Sequence, residues 1–284
     1  MTTSLQQLIA SAKASARPLI VPGVYDAISA RAARELNFSA VYIGSYATGA
    51  TRYGVPDIGY IGAEDMADQV RRIAALVDVP IIVDAEGGFG NPLHVARTVA
   101  LLERSGASAL HIEDHDFGKH ITPTPRVLSL QLSVDKIKAA VDAKRSADFM
   151  VVARTDSVGS LGGDAAIERA IAFQEAGADG VFIAGRLDEA GWAIVRREIT
   201  VPVFGIDHPG KSAQDSGKQG VHVLMYYGLT HFAALQGIRA ALQELATKGS
   251  TVALEASLPS MADFDAFLGI GKAREDAGRF GLLD

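Results

Sequence analysis

The stretch Ile81-Ile82-Val83-Asp84-Ala85-Glu86-Gly87-Gly88 decides how the chain is read. Three consecutive β-branched residues run straight into an acid–small–acid–Gly–Gly turn. Pro92–Ser105 then places apolar residues at the three- and four-residue spacing of a helix. A continuous apolar run suits a parallel strand covered on both faces, whereas a strand with one wet face would alternate. Strand, turn, helix is the repeating unit of α/β proteins.

The unit recurs. Further apolar runs occupy Leu19–Val21, Ala40–Ile43, Ala109–Ile112, Met150–Ala153, Gly180–Ala184, Val201–Gly205 and Val221–Met225. Between them, Ala27–Leu36, Asp65–Leu76, Val134–Ala143, Asp164–Ala176 and Phe232–Ala246 carry helical patterning, and Gly106 and Gly177 follow two such segments as terminators. Eight runs at a spacing of about thirty residues in 284 predict one (β/α)8 TIM-type barrel. The expected division is a barrel over residues 1–250 and a helical arm over 251–284. The arm carries an apolar stripe through Phe264, Phe267 and Leu268, which suits packing on its own subunit or on a neighbour.

Composition excludes several functions. The chain has no cysteine, so disulfides, thiolate metal sites and a cysteine nucleophile are ruled out. A net charge of −6 without a basic run argues against nucleic acid as a partner. No apolar stretch approaches the roughly 18 residues of a membrane span, and the first residues lack the pattern of a secretion signal. The expectation is a soluble, cytoplasmic protein without a membrane partner. The seven histidines lack zinc-ligand spacing, and neither a P-loop nor a G-x-S-x-G elbow is present.

In a barrel of this type, side chains at the carboxyl ends of the strands converge on one mouth. The first run leads into Tyr25, the second into Gly44-Ser45-Tyr46, the third into Asp84 and Glu86, the fourth into Glu113 and the fifth into Arg154. Carboxylates gathered at one mouth repel unless a cation lies between them. Hard oxygen donors suit Mg²⁺, or alternatively Mn²⁺. Such an ion acts as a Lewis acid on a 2-oxo acid and stabilises the enolate formed when the bond beta to the ketone breaks. Arg154 can grip a carboxylate in bidentate fashion, and Ser45 with the backbone of Gly44–Tyr46 can take a carboxylate end. The segment His115–Leu130 reads as a gate over the mouth, with Lys119 and His120 as candidate acids.

These residues resemble the isocitrate lyase and phosphoenolpyruvate mutase superfamily. The matching stretches are PGVYDAISARAA (22–33), YIGSYATGA (42–50), PDIG (56–59), DAEGGFGN (84–91), HIEDHDFGKH (111–120), ARTD (153–156) and QEAGADGVFI (174–183). The resemblance implies a Mg²⁺-dependent barrel in a helix-swapped dimer of dimers. It assigns metal binding to Asp84, Glu86 and Glu113, with Asp57 as a supporting acid. Tyr25, Gly44, Ser45, Tyr46, Asp84 and Arg154 would meet the substrate, and Lys119, His120 and Arg154 would serve catalysis. Glu86 stands where many members have Asp.

The departures narrow the reaction. Members that cleave isocitrate-type acids carry a Cys on the gate, and that position is Ile121 here. They also tend to have Glu after the sixth strand and Asn after the seventh, which this chain lacks. The pattern is most similar to the oxaloacetate-decarboxylase-like branch. The expected activity is a Mg²⁺-dependent carbon–carbon lyase on a small 2-oxo or 2-hydroxy (di)carboxylate. Phosphorus–carbon chemistry on phosphonopyruvate and non-catalytic binding of a 2-oxo acid are the alternatives.

Overall fold

The computed structural model describes residues 3–116 and 118–282. Eight strands, β1 (Leu19–Pro22), β2 (Val41–Ile43), β3 (Ile81–Asp84), β4 (Ala109–Glu113), β5 (Met150–Thr155), β6 (Gly180–Ile183), β7 (Val203–Ile206) and β8 (Val223–Tyr226), form one parallel sheet. Each strand from β2 to β8 pairs with the next, and β8 pairs with β1. A bridge between Gly23 and Tyr42 joins β1 to β2 and nearly closes the barrel. The expected (β/α)8 architecture is what the chain adopts. β7 and β8 each begin two residues later than their apolar runs, at Val203 and Val223.

The helices are α1 (Leu5–Ser15), α2 (Ala27–Glu35), α3 (Ser45–Tyr53), α4 (Ala63–Ala74), α5 (Pro92–Arg104), α6 (Leu130–Ala143), α7 (Val158–Leu161), α8 (Gly163–Glu175), α9 (Glu189–Glu198), α10 (Ala213–Lys218), α11 (Leu229–Lys248), α12 (Met261–Leu268) and α13 (Ile270–Arg279). The chain forms two compact units, one reaching His231 and one beginning at Phe232, so the boundary falls inside α11. Along α11, the large apolar residues Phe232, Leu235, Ile238, Leu242 and Leu245 are exposed.

Strand pleating sorts the core into two layers. Val41, Ile43, Ile81, Val83, Leu110, Ile112, Val151 and Ala153 point outward, into the layer beneath the helices. Tyr42, Ile82, Ala109, Val152, Phe182 and Phe204 point inward, where Leu5 and Ile9 of α1 join them. The same parity, continued two residues toward the carboxyl end on β3, β5 and β7 and four on β4, aims Asp84, Arg154, Ile206 and Glu113 into the barrel. The site is the top layer of the barrel filling.

Candidate functional site

Asp84 ends β3 and is 3% exposed. One of its oxygens accepts from the backbone N–H of Glu86 at 2.8 Å, and the other from Ser45 Oγ at 2.9 Å. That turn puts Glu86 at φ 50°, in the left-handed region that non-glycine residues rarely enter. The Glu86 carbonyl accepts from Glu113 N at 2.9 Å, which pins the strained residue beside β4. Glu113 and Arg154 are partners across β4 and β5, and Arg154 Nη1 lies 3.4 Å from Glu113 Oε2.

Lys119 comes from the segment after β4 and is 5% exposed. Its ammonium lies 3.1 Å from Glu86, 3.2 Å from Glu113, 3.6 Å from Asp57 and 4.0 Å from Asp84. One ammonium thus faces four carboxylates. Arg154 is shared: Asp156 binds its guanidinium twice, at 2.8 and 2.7 Å, while its charge still favours the ionised forms of Glu113 and Asp84. The guanidinium also lies over the Phe182 ring, 4.9 Å from its centroid.

The titration behaviour follows from this imbalance. Burial, with Asp84 and Glu113 nearby, pushes Glu86 up to about 8 against the pull of Lys119. Burial, with Asp156 and Asp84, likewise pushes Glu113 up to about 7. Asp84 is equally buried, but Lys119, His111 and Arg154 together outweigh burial and hold its carboxyl well below the usual range. Burial drops His111 to about 4, so the imidazole stays neutral beneath the site. It stacks on Tyr42 and meets the Tyr42 hydroxyl at 3.1 Å.

The donors suit a hard divalent cation. Four carboxylates converge, their negative charge exceeds the nearby positive charge, and Glu86 Oε1 is buried without a hydrogen-bond partner. Asp84, Glu86, Glu113 and Asp57 are the residues that would hold it. As they stand, no three acidic or imidazole groups among the described residues have metal-holding geometry, because Lys119 Nζ lies among them.

Beside the acids is a cavity of about 290 Å³. Asp57, Asp84, Lys119, His120 and Arg154 line one part of it, and Gly44, Tyr46 and Ala47 line another. The latter three lie at the start of α3, where no side chain caps the helix. Uncapped first-turn N–H groups favour an anion. His120 is largely exposed, at φ 64°, with Nε2 3.4 Å from Asp57. Of the expected site residues, Ser45, Glu86, Glu113 and Tyr25 do not line this cavity; Glu86 and Glu113 line a second one of about 310 Å³ that shares Lys119, and Tyr25 lies apart. Its ring packs edge-on near His231, and it lines a separate surface hollow with Asp26 and Gln69.

The phosphoenolpyruvate phosphomutase family model matches residues 9–246. The chain belongs to that family. The 2,3-dimethylmalate lyase of Eubacterium barkeri is 30% identical over 267 residues, covering 90% of this chain and 91% of that protein. The 2-methylisocitrate lyase of Shewanella oneidensis is 30% identical over 276 residues, covering 95% and 94%. The oxaloacetate decarboxylase of Rhodopseudomonas palustris is 38% identical over 184 residues, covering 63% of each chain. A crystal structure of phosphonopyruvate hydrolase with oxalate and Mg²⁺ superposes with a TM-score of 0.87 at 27% identity, covering 98% of this chain and 99% of that one. The expectation of a carbon–carbon lyase of the isocitrate lyase and phosphoenolpyruvate mutase superfamily agrees with the lyases among these relatives.

Within this phosphomutase-family chain, Ile121, at the position expected for a lyase Cys, is mostly exposed. The motifs alone assign no site role to Tyr42, Ile206 or Asp156. Tyr42 and Ile206 were legible in principle, since inward parity on β2 and β7 points both into the barrel. The signal for Asp156 is the spacing Arg-x-Asp, which lets the carboxylate fold back on the guanidinium. No helix among the described residues is long and apolar enough to cross a membrane.

Proposed function

We propose that this chain is a Mg²⁺-dependent carbon–carbon lyase acting on a small 2-oxo or 2-hydroxy dicarboxylate, with oxaloacetate the first substrate to test. The observation that carries this reading is the cluster of Asp84, Glu86, Glu113 and Asp57 around one ammonium, next to an uncapped helix start and Arg154. A bound divalent ion would supply Lewis acidity toward the 2-oxo oxygen.

The chain's own residues do the rest. The first-turn N–H groups of α3 and the Arg154 guanidinium orient the carboxylate next to the oxo group. Asp156 keeps Arg154 from swinging. In decarboxylation the C3–C4 bond breaks, CO₂ leaves, and its bonding electrons pass to the C2–C3 fragment as an enolate. Lys119 Nζ, the protonated group nearest the acids, then delivers a proton to C3, with His120 as the alternative donor. The segment carrying both restricts water at the mouth.

Purified protein with Mg²⁺ and oxaloacetate should release pyruvate faster than Mg²⁺ alone, and Asp84→Ala should abolish the difference. If the wild-type rate equals the metal-only rate, oxaloacetate is not the substrate. The similarity to phosphonopyruvate hydrolase supports phosphorus–carbon cleavage as a second reading, tested by phosphate release from phosphonopyruvate.

We further propose a cytoplasmic homo-oligomer with a barrel over 1–250 and an arm over 251–284, although the compact units divide earlier, at Phe232. The exposed apolar residues of α11 support association with a second copy.

A further inference from the structure

The cavity of about 290 Å³ is charged on one side only. Its other wall is Tyr46, Ile206 and Tyr227, with the two tyrosine rings 6.3 Å apart in an edge arrangement. Ile206 and Tyr227 both pack against the apolar filling of the barrel. The charge behind this wall is negative. Asp207 follows Ile206, has a buried Oδ1 without a hydrogen-bond partner, and raises the phenols of Tyr226 and Tyr227, second to burial.

The cations that line the cavity, Arg154, Lys119 and His120, all lie on its charged side. Arg154 is doubly bound by Asp156 and touches Glu113, Lys119 faces four acids, and His120 lies beside Asp57. The next cations out, Arg186 and Lys211, act on His208 and do not line the cavity. A carboxylate loses its water on entering such a site and needs donors in exchange. After the carboxylate at the start of α3, this cavity can satisfy one more near Lys119 and His120. A third would have to lie against the Ile206 side chain and the two phenols, with no cation among the described residues to meet it.

We propose that the Ile206–Tyr227 wall sets the substrate class, an inference that rests on the reading of this cavity as a 2-oxo acid site. The class is a short 2-oxo or 2-hydroxy acid with at most two carboxylates, whose C3 carries hydrogen or small alkyl groups directed at the wall. Acids with a third carboxylate are excluded. Ile206 is therefore a specificity residue.

The test is competition against oxalate in the presence of Mg²⁺, followed by titration calorimetry. The competitors are 3-methyl-2-oxobutanoate, which presents an alkyl tail, and isocitrate, which presents three carboxylates. The wild-type protein should bind isocitrate at least tenfold more weakly than the alkyl acid. Ile206→Arg should narrow or invert that ratio, while Ile206→Val leaves it unchanged. If oxalate binds and isocitrate competes as well as the alkyl acid, the wall does not discriminate and this inference alone falls. If oxalate itself does not bind, the 2-oxo acid site falls and the inference with it. Selective binding without turnover of any lyase substrate would uphold the wall and overturn the lyase reading.

Discussion

The ammonium of Lys119 lies 3.1 Å from the carboxylate of Glu86, a residue held in the left-handed region by the turn after β3. Two local conformations cooperate to make that contact. Gly118 and His120, on either side of Lys119, also have positive φ, at 85° and 64°, so the chain winds tightly at both neighbours of the lysine. Replacing Lys119 by Met should lower oxaloacetate turnover by roughly 10²–10⁴, the range for loss of a positioned proton donor. The same change removes a cation that competes for the acids, so Mn²⁺ should bind more tightly, on the order of tenfold, by electron paramagnetic resonance. Weaker Mn²⁺ binding would show that the lysine helps to assemble the acids.

The carboxyls of Glu86 and Glu113 govern how stability responds to pH. Their folded values, about 8 and about 7, lie above the ordinary 4.5, so folding favours their protonated forms. That contribution is complete below about 4.5 and is lost as pH rises through 7 and 8. Metal-free protein should therefore lose stability progressively between about pH 4.5 and pH 8, by several kcal/mol, and level off above that. Excess Mg²⁺ should flatten the profile, and its binding near pH 7 should release protons. Calorimetric scans across pH give the answer, and a flat metal-free profile would contradict the charge imbalance.

Arg154→Lys keeps the charge and loses the fork. Asp156 can then hold only a point charge, and the orientation toward a substrate carboxylate is lost. kcat/KM for the 2-oxo acid should fall by roughly 10², equivalent to about 2–3 kcal/mol. Melting temperature provides the control, since unfolding would mimic this loss.

Backbone requirements at the turn after Asp84 can be separated from those elsewhere. At Gly88, φ is 77° and an added Cβ would sit 2.4 Å from Val95 Cγ2. At Gly54, φ is 68° and nothing lies within 4 Å. Gly54→Ala should cost about 1 kcal/mol from backbone strain alone. Gly88→Ala should cost about 2–4 kcal/mol, because the helix bearing Val95 must also move. Equal losses in urea unfolding would remove the packing argument.

Much of the site was legible because two periodicities meet in it. Apolar runs located the strands, and parity within a strand tells Asp84, Glu113 and Arg154 to face inward. What stayed hidden depends on chain reversal. Nothing in the order Gly118-Lys119-His120 says that the lysine folds back among four acids, since that takes two positive φ angles and a long-range approach. Helical patterning does not mark α3, because SYATGATRY contains two β-branched residues and a glycine. Its formation rests on packing of Ala47, Thr48 and Gly49, all buried. Tyr25 looked like a strand-end residue, but β1 stops at Pro22 and the intervening Gly23-Val24 carries the tyrosine away from the axis.

Glu113 and Asp114 are neighbours in sequence with opposite assignments. Glu113 faces the axis, while Asp114 accepts from Thr155 Oγ1 at 2.6 Å, Arg169 Nη1 at 2.9 Å and Asp156 N at 2.9 Å. A slip of one residue in β4 would exchange the two acids. Arg169 would lose its carboxylate partner at the same moment that Glu113 left the mouth. A misregistered chain would thus be unstable as well as inactive, so the neighbouring acids act as a proofreading pair for assembly of the barrel.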